Sequence, residues 1–280
     1  MTTQVNRQFQ LAQRPLGLPG RETFSYVEAP VGEPGPGQIL VRNEYLSLDP
    51  AMRGWMNDAK SYIPPVGIGE VMRALGVGKV IASQNPTFAV GDYVNGALGG
   101  QAYVLAVPQG FSQVDPSKAP LPLYLSALGM TGMTAYFALL DVGQPKAGET
   151  VVISGAAGAV GSIAGQIAKL KGCRVIGIAG GAAKCQSLID EFGFDGVIDY
   201  KNEDVIAGLK RECPKGVDVY FDNVGGDILD AVLTRLAFRA RVIICGAISQ
   251  YNNKQNMKGP ANYLNLLVMS ARMEGMVVMT

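Results

Sequence analysis

The chain has 280 residues, a formal net charge of +1 and 17% charged side chains, so two domains are expected and no basic footprint points to nucleic acid. No apolar run approaches the ~18 residues of a membrane span, and the N-terminal MTTQVNRQFQLAQRP lacks the apolar core of a secretory leader. Histidine is absent, and Cys173, Cys185, Cys213 and Cys245 lie apart without C-x-x-C spacing. That excludes Ser-His and Cys-His catalysis, leaves a soft-ligand zinc site short of donors, and fits a reduced, cytoplasmic protein.

Residues 1–123 are rich in Gly and Pro, with short alternating runs such as Gln38-Ile39-Leu40-Val41-Arg42 and Gly78-Lys79-Val80-Ile81-Ala82 between turn clusters such as GEPGPG. That pattern predicts a small, mostly antiparallel β-barrel. From 124 to 280 helical and apolar extended segments alternate. Strands are expected at Val151–Ser154, Arg174–Ile178, Gly196–Asp199, Val217–Phe221, Arg241–Gly246 and Gly275–Met279, with amphipathic helices at Asp204–Arg211 and Asp227–Ala237. The fold class is therefore α/β: a doubly wound parallel sheet with a smaller antiparallel domain before it. The ligand crevice of such a sheet lies beyond the carboxyl ends of its strands.

Within that second region, Val151 to Gly181 reads as strand, glycine turn, helix, strand, the setting a dinucleotide fingerprint requires. Gly155, Gly158 and Gly161 let backbone approach a pyrophosphate, and the following helix turns its free N–H groups and positive dipole end toward it. Val160, Ile163, Ala164, Ile167 and Ala168 recur at helical spacing and give that helix an apolar face for the sheet.

The acid that an NAD site carries about 20 residues past the glycines is missing, because that position reads Ala179-Gly180-Gly181-Ala182. Lys184 follows. A cation without an acidic competitor suits a 2′-phosphate and favours NADP, the alternative for Lys184 being an ordinary solvated lysine.

Five ordered blocks carry a resemblance. They are Asp49-Pro50-Ala51-Met52-Arg53-Gly54-Trp55-Met56, Gly129-Met130-Thr131-Gly132-Met133-Thr134-Ala135-Tyr136, the GAAGAVGSIAGQIAKLKGCRVIGIAGG stretch, Phe221-Asp222-Asn223-Val224-Gly225-Gly226, and Cys245-Gly246-Ala247-Ile248-Ser249-Gln250-Tyr251-Asn252. Together they resemble the zinc-independent branch of the medium-chain dehydrogenase/reductases, which includes prostaglandin reductases, alkenal double-bond reductases and bacterial curcumin reductases. The resemblance implies a GroES-like barrel joined to a Rossmann domain, NADPH as cofactor, and hydride delivery to the β-carbon of a small hydrophobic α,β-unsaturated ketone or aldehyde. A homodimer paired through the sixth strand is also implied.

By the same resemblance, Gly158, Ala159, Val160 and Gly161 hold the pyrophosphate, and Lys184 and Tyr200 the adenosine 2′-phosphate side. Asn223, Cys245, Gly246, Ala247, Ile248, Ser249 and Tyr251 line the nicotinamide half, with Met276, Val277 and Val278 bordering nicotinamide and substrate. Tyr251 and Tyr62 match tyrosines that reach the substrate carbonyl, whereas Arg53 and Trp55 read as inter-domain packing. A tyrosine is a poor base at neutral pH but a good donor to an enolate oxygen; the α-carbon proton comes from tyrosine or water. Met130 and Met276 suit an adaptable apolar site, while Met133 and Met279 read as core. Relatives continue past the position of Thr280 with a segment that returns to the barrel domain, which sets two alternatives beside the reductase reading: quinone reduction and non-catalytic NADPH binding.

Overall fold

Alternating apolar and polar residues build the first unit, Met1–Gly129, from strands with one wet face. The computed structural model describes residues 4–253 and 257–278. Strands β1 (Val5–Leu11) and β2 (Phe24–Pro30) form an antiparallel pair. Strand β3 (Ile39–Leu46) precedes the short helix α1 (Ala51–Trp55), which is followed by β4 (Gly76–Ser83), β5 (Tyr93–Gly96), β6 (Tyr103–Ala106) and β7 (Ser112–Val114). These last strands and β3 make a five-stranded antiparallel sheet in the order β6-β3-β4-β5-β7. One apolar cluster centres on Ile39, Val41, Val80, Val94 and Leu98; another gathers Leu11, Trp55, Met56, Val66 and Met72.

The second unit, Met130–Thr280, starts with helix α2 (Met130–Phe137). It continues through β8 (Thr150–Ser154), α3 (Ala159–Leu170), β9 (Arg174–Ala179), α4 (Ala182–Asp190), β10 (Gly196–Asp199) and α5 (Val205–Glu212). Then come β11 (Val217–Asp222), α6 (Gly226–Leu233), β12 (Leu236–Ile244), α7 (Leu264–Val268) and β13 (Arg272–Gly275). All six strands are parallel, in the order β10-β9-β8-β11-β12-β13. The order reverses between β8 and β11, which makes that gap the topological switch point.

The central strands are covered on both faces, so β8 and β9 read as near-continuous apolar runs. Val151, Ile153, Val175, Val219 and Phe221 pack one face, with Ala164 and Ala168 of α3. Val152, Ile176, Ile198, Tyr220 and Val242 pack the other, with Leu209 of α5 and Val232 and Leu233 of α6. Each fully buried Val, Leu or Ile contributes about 1.5–3 kcal/mol.

Three expectations need correction. The helix expected over Asp227–Ala237 stops at Leu233, because Leu236 already pairs with Val217. The fifth strand therefore begins well before Arg241, with a register shift around Arg239, whose φ is +60°. The sixth strand is Arg272–Gly275 rather than Gly275–Met279. All four of its residues are exposed at the sheet edge, so no apolar run marks it, and pairing of Arg272 with Arg241 sets its place. Met279 lies outside the described residues.

Candidate cofactor site

Every residue expected to hold the dinucleotide lies at or just beyond the carboxyl edge of the parallel sheet. Strand β8 ends at Ser154, and the chain turns at Gly155, whose φ of +57° is left-handed. The Gly158 N–H donates to the Gly155 carbonyl at 2.9 Å, and Ser162 N–H to the Gly158 carbonyl at 2.9 Å, closing the turn into α3. A Cβ on Gly161 would lie 2.4 Å from the Gly155 oxygen and 2.8 Å from the Ala156 Cα, so only glycine lets the helix sit this close to the turn. Gly158 is the helix N-cap and no side chain caps it, which leaves the first-turn amides and the dipole for an anion. This is a cradle that a side chain would fill, and it fits a pyrophosphate.

To one side of that turn lie the ends of β9 and β10. Lys184 is exposed in the first turn of α4, and its ammonium has no hydrogen bond or ion pair to any other described residue. Tyr200, 45% exposed, lies against Gly180, where a Cβ would fall 2.8 Å from its hydroxyl. Sequence reasoning missed Asp199. It sought an acid at the end of the second strand, but the third strand brings one to the same turn. The Asp199 carboxylate accepts from Gly181 N–H at 2.8 Å, Asn202 Nδ2 at 2.7 Å and Lys201 N–H at 3.1 Å. The Gly181 amide first, then Asn202, holds its carboxyl below the usual range. It is thus already occupied by donors.

On the other side, at the switch point, the loops after β11 and β12 meet. Asn223 donates through Nδ2 to the Ser154 carbonyl at 2.7 Å, and its backbone N–H donates to Ser154 Oγ at 2.9 Å. Ile248 N–H reaches the Asn223 carbonyl at 3.3 Å, while Ser249 Oγ donates to the Val224 carbonyl at 2.6 Å. The Tyr251 hydroxyl accepts from Ala247 N–H at 3.2 Å and lies 3.1 Å from where a Cβ on Gly246 would be. Met276, Val277 and Val278 are half-buried beyond the end of β13, and Met276 N–H donates to the Ile244 carbonyl at 3.2 Å. Asn223, Cys245 to Ser249 and Tyr251 are therefore brought together.

Cys245 is half-buried there, and burial, then the charge of Asp222, pushes its thiol up to about 12. Burial likewise raises Cys213, to about 11, and lifts Cys173 and Cys185. A raised thiol pKa means the reactive thiolate forms only as pH climbs toward those values. Native chain treated with iodoacetamide at pH 8 is expected to keep its intact mass; fast alkylation at Cys245 would contradict this environment.

In the first unit the Tyr62 hydroxyl accepts from Trp55 Nε1 at 3.2 Å, and the ring is 49% exposed. Arg53, expected at a packing surface between domains, is buried. Its Nε donates to the Gly17 carbonyl at 3.0 Å, and its other nitrogens reach the Pro15 carbonyl at 3.1 Å and Asn57 Oδ1 at 2.7 Å. These bonds fasten the 15–17 loop within the first unit. Met133 is not core. It is 43% exposed on α2, whose buried positions are the small residues Gly132 and Ala135.

Among the described residues no group of three or more Cys, Asp or Glu could hold a metal ion.

Two family models match the chain, the N-terminal domain of oxidoreductase over residues 7–114 and the zinc-binding dehydrogenase domain over residues 159–280. The NADPH-dependent curcumin reductase of Escherichia coli is 47% identical over 257 residues, which are 92% of this chain and 74% of the relative. The NADP-dependent 2-alkenal reductase of Nicotiana tabacum is 44% identical across 87% of this chain and 72% of its own length. The crystal structure of CurA from Vibrio vulnificus in complex with NADPH superposes with a TM-score of 0.92 at 45% identity, covering 97% of this chain and 82% of that one. With both domains matched, the strand order and glycine turn in place, and relatives of this identity spanned over most of their length, the chain belongs to the medium-chain dehydrogenase/reductase family, in the branch of the curcumin and alkenal reductases.

Proposed function

We propose that this chain is an NADPH-dependent reductase of the carbon–carbon double bond in small hydrophobic α,β-unsaturated ketones and aldehydes. The observation that carries this reading is the uncapped amino end of α3 behind Gly155, Gly158 and Gly161, flanked by Lys184 with no acid at the end of β9. When bound, NADPH supplies the hydride that adds to the β-carbon. The first-turn amides from Ala159 to Gly161 hold the pyrophosphate, and Lys184 and Tyr200 hold the 2′-phosphate. Asn223, Cys245–Ser249 and Met276–Val278 form the seat of the nicotinamide half.

As the β-carbon is reduced, negative charge moves onto the carbonyl oxygen, and a preorganised donor there lowers the barrier. Tyr251, whose oxygen accepts from Ala247 N–H, takes this role through its hydroxyl, with Tyr62 second. Orientation of the two reactants supplies the remainder. No step needs a metal.

A second copy pairing along the exposed edge β13, next to exposed Leu264, Leu267 and Val268, completes a homodimer, since an open strand edge with apolar neighbours favours pairing. The chain's placement is cytoplasmic, where its buried cysteines stay reduced.

The test is absorbance of NADPH over time with a medium-chain enone, NADH and a quinone run alongside. Consumption with NADPH and enone but not NADH supports the reading; faster turnover of the quinone, or binding without turnover, refutes it. In the same assay Tyr251→Phe is expected to lower kcat by on the order of 10²-fold, as loss of an oxyanion donor does, with the KM for NADPH little changed. An unchanged kcat would remove Tyr251 from the chemistry.

A further inference from the structure

Asp222 ends β11 at the switch point, and its side chain is 0% exposed. One of its carboxylate oxygens, Oδ1, accepts from Ser154 Oγ at 2.8 Å, the Tyr220 hydroxyl at 2.8 Å, Val224 N–H at 3.0 Å and Gly225 N–H at 2.9 Å. Its backbone carbonyl accepts from Cys245 N–H at 2.9 Å and Gly246 N–H at 3.0 Å. Two strand ends and two loops therefore converge on one residue. β8 contributes Ser154, itself 0% exposed, β11 contributes Tyr220, also 0% exposed, and the loop after β12 contributes Cys245 and Gly246. Ser154 passes the constraint on, because its hydroxyl donates to Asp222 and accepts from Asn223 N–H, while its carbonyl accepts from Asn223 Nδ2.

We propose that Asp222 is a positioning residue for the reactive half of the dinucleotide. Through Oδ1 it fixes the Asn223–Gly225 loop, and through its carbonyl it fixes the start of the Cys245–Tyr251 loop. The inference rests on the proposed function, because it takes those two loops as the nicotinamide seat. Charge-assisted bonds of this kind are about twice as strong as neutral ones, and a buried carboxylate needs them, so the node holds one geometry. Burial, then the neighbouring carboxylate, raises the Tyr220 hydroxyl well above its ordinary value and keeps it a donor. Lys184 and Tyr200 follow β9 and β10 on the far side of the glycine turn, and none of these bonds reaches them.

Asp222→Asn keeps the shape and removes the charge; Ser154→Ala breaks the relay and leaves the charge in place. Three readouts separate positioning from general support. They are the Kd of 2′,5′-ADP, which probes the adenosine half alone, the emission of bound NADPH, which reports the surroundings of the dihydronicotinamide without turnover, and kcat with an enone. Both variants are expected to keep the Kd of 2′,5′-ADP within about twofold, to shift bound NADPH emission toward that of free cofactor, and to lose about tenfold or more in kcat, the order of effect that small misplacement produces. Emission and kcat both unchanged, or 2′,5′-ADP binding lost in step with NADPH, would overturn the proposal. If Asp222→Asn does not fold, Ser154→Ala alone decides, through the same three readouts and with the same outcomes for and against. A wild-type chain that binds NADPH but turns over no enone refutes the reaction alone, and the emission readout still decides the role of Asp222.

Discussion

A Gly161→Val chain is expected to lose measurable NADPH binding while Gly158→Ala retains it. The atoms that would meet the new side chain are all backbone: the Gly155 oxygen at 2.4 Å, the Ala156 Cα at 2.8 Å and the Ala156 oxygen at 3.0 Å from the Cβ itself. None can rotate aside as a side chain would, and Ala156 is 0% exposed, so α3 must lift off the turn. Overpacking of a tight site costs about 1–3 kcal/mol, and a clash with backbone sits at the upper end. For a domain of this size each kcal/mol lowers Tm by about 2–4 °C. Function suffers more than stability, because the displaced element carries the amides and dipole that meet the pyrophosphate. At Gly158 the same added Cβ meets only the Gly155 oxygen, at 3.1 Å. Its backbone is extended, with φ −81° and ψ 171°, so alanine is accommodated. Fluorescence titration with NADPH beside thermal denaturation reads both effects. A Gly161→Val chain that binds NADPH within a few-fold of wild type would show that the turn does not hold the phosphate.

The second large effect concerns cofactor choice. Lys184→Ala is expected to raise the KM for NADPH by about tenfold at low ionic strength and to leave the KM for NADH unaltered, because a hydrogen bond to a doubly charged phosphate is among the stronger contacts a side chain makes. Lys184 is exposed, so the contact is screened and the penalty should shrink as salt rises. The acid that accepts from the Gly181 N–H of this turn is Asp199. Its two oxygens already accept from Gly181, Lys201 and Asn202, so it is not set to receive ribose hydroxyls. Parallel rise of both KM values would move Lys184 from selector to general support, and no rise would make it a solvated lysine.

What the sequence made legible follows from burial. β8, β9 and β11 are wrapped on both faces, and each appears in the sequence as an apolar run, interrupted in β11 by Asp218, whose limits match the structure within about a residue. The glycine turn was legible because steric demands leave a residue type as their trace. β13 was misplaced because an exposed edge strand reading RMEG carries no burial signal, so the apolar residues after it drew the boundary instead. Asp222 stands inside a block that carries the family resemblance, yet its partner Ser154 lies 68 positions away and the hub exists only once β8 and β11 are neighbours. Asp199 was hidden for a similar reason: it reaches the end of the second strand from the third.

The four apolar clusters have one further consequence. Two draw every member from the first unit and two from the second. The glycine turn, Lys184, Tyr200, the Asp222 hub and Tyr251 all belong to the second unit, and of the residues singled out for chemistry only Tyr62 belongs to the first. Heritable change can therefore accumulate around Tyr62, in the loops and sheet of residues 4–129, without repacking the interior that shapes the dinucleotide seat. A lineage built on this plan can diversify what it reduces while its electron source stays fixed.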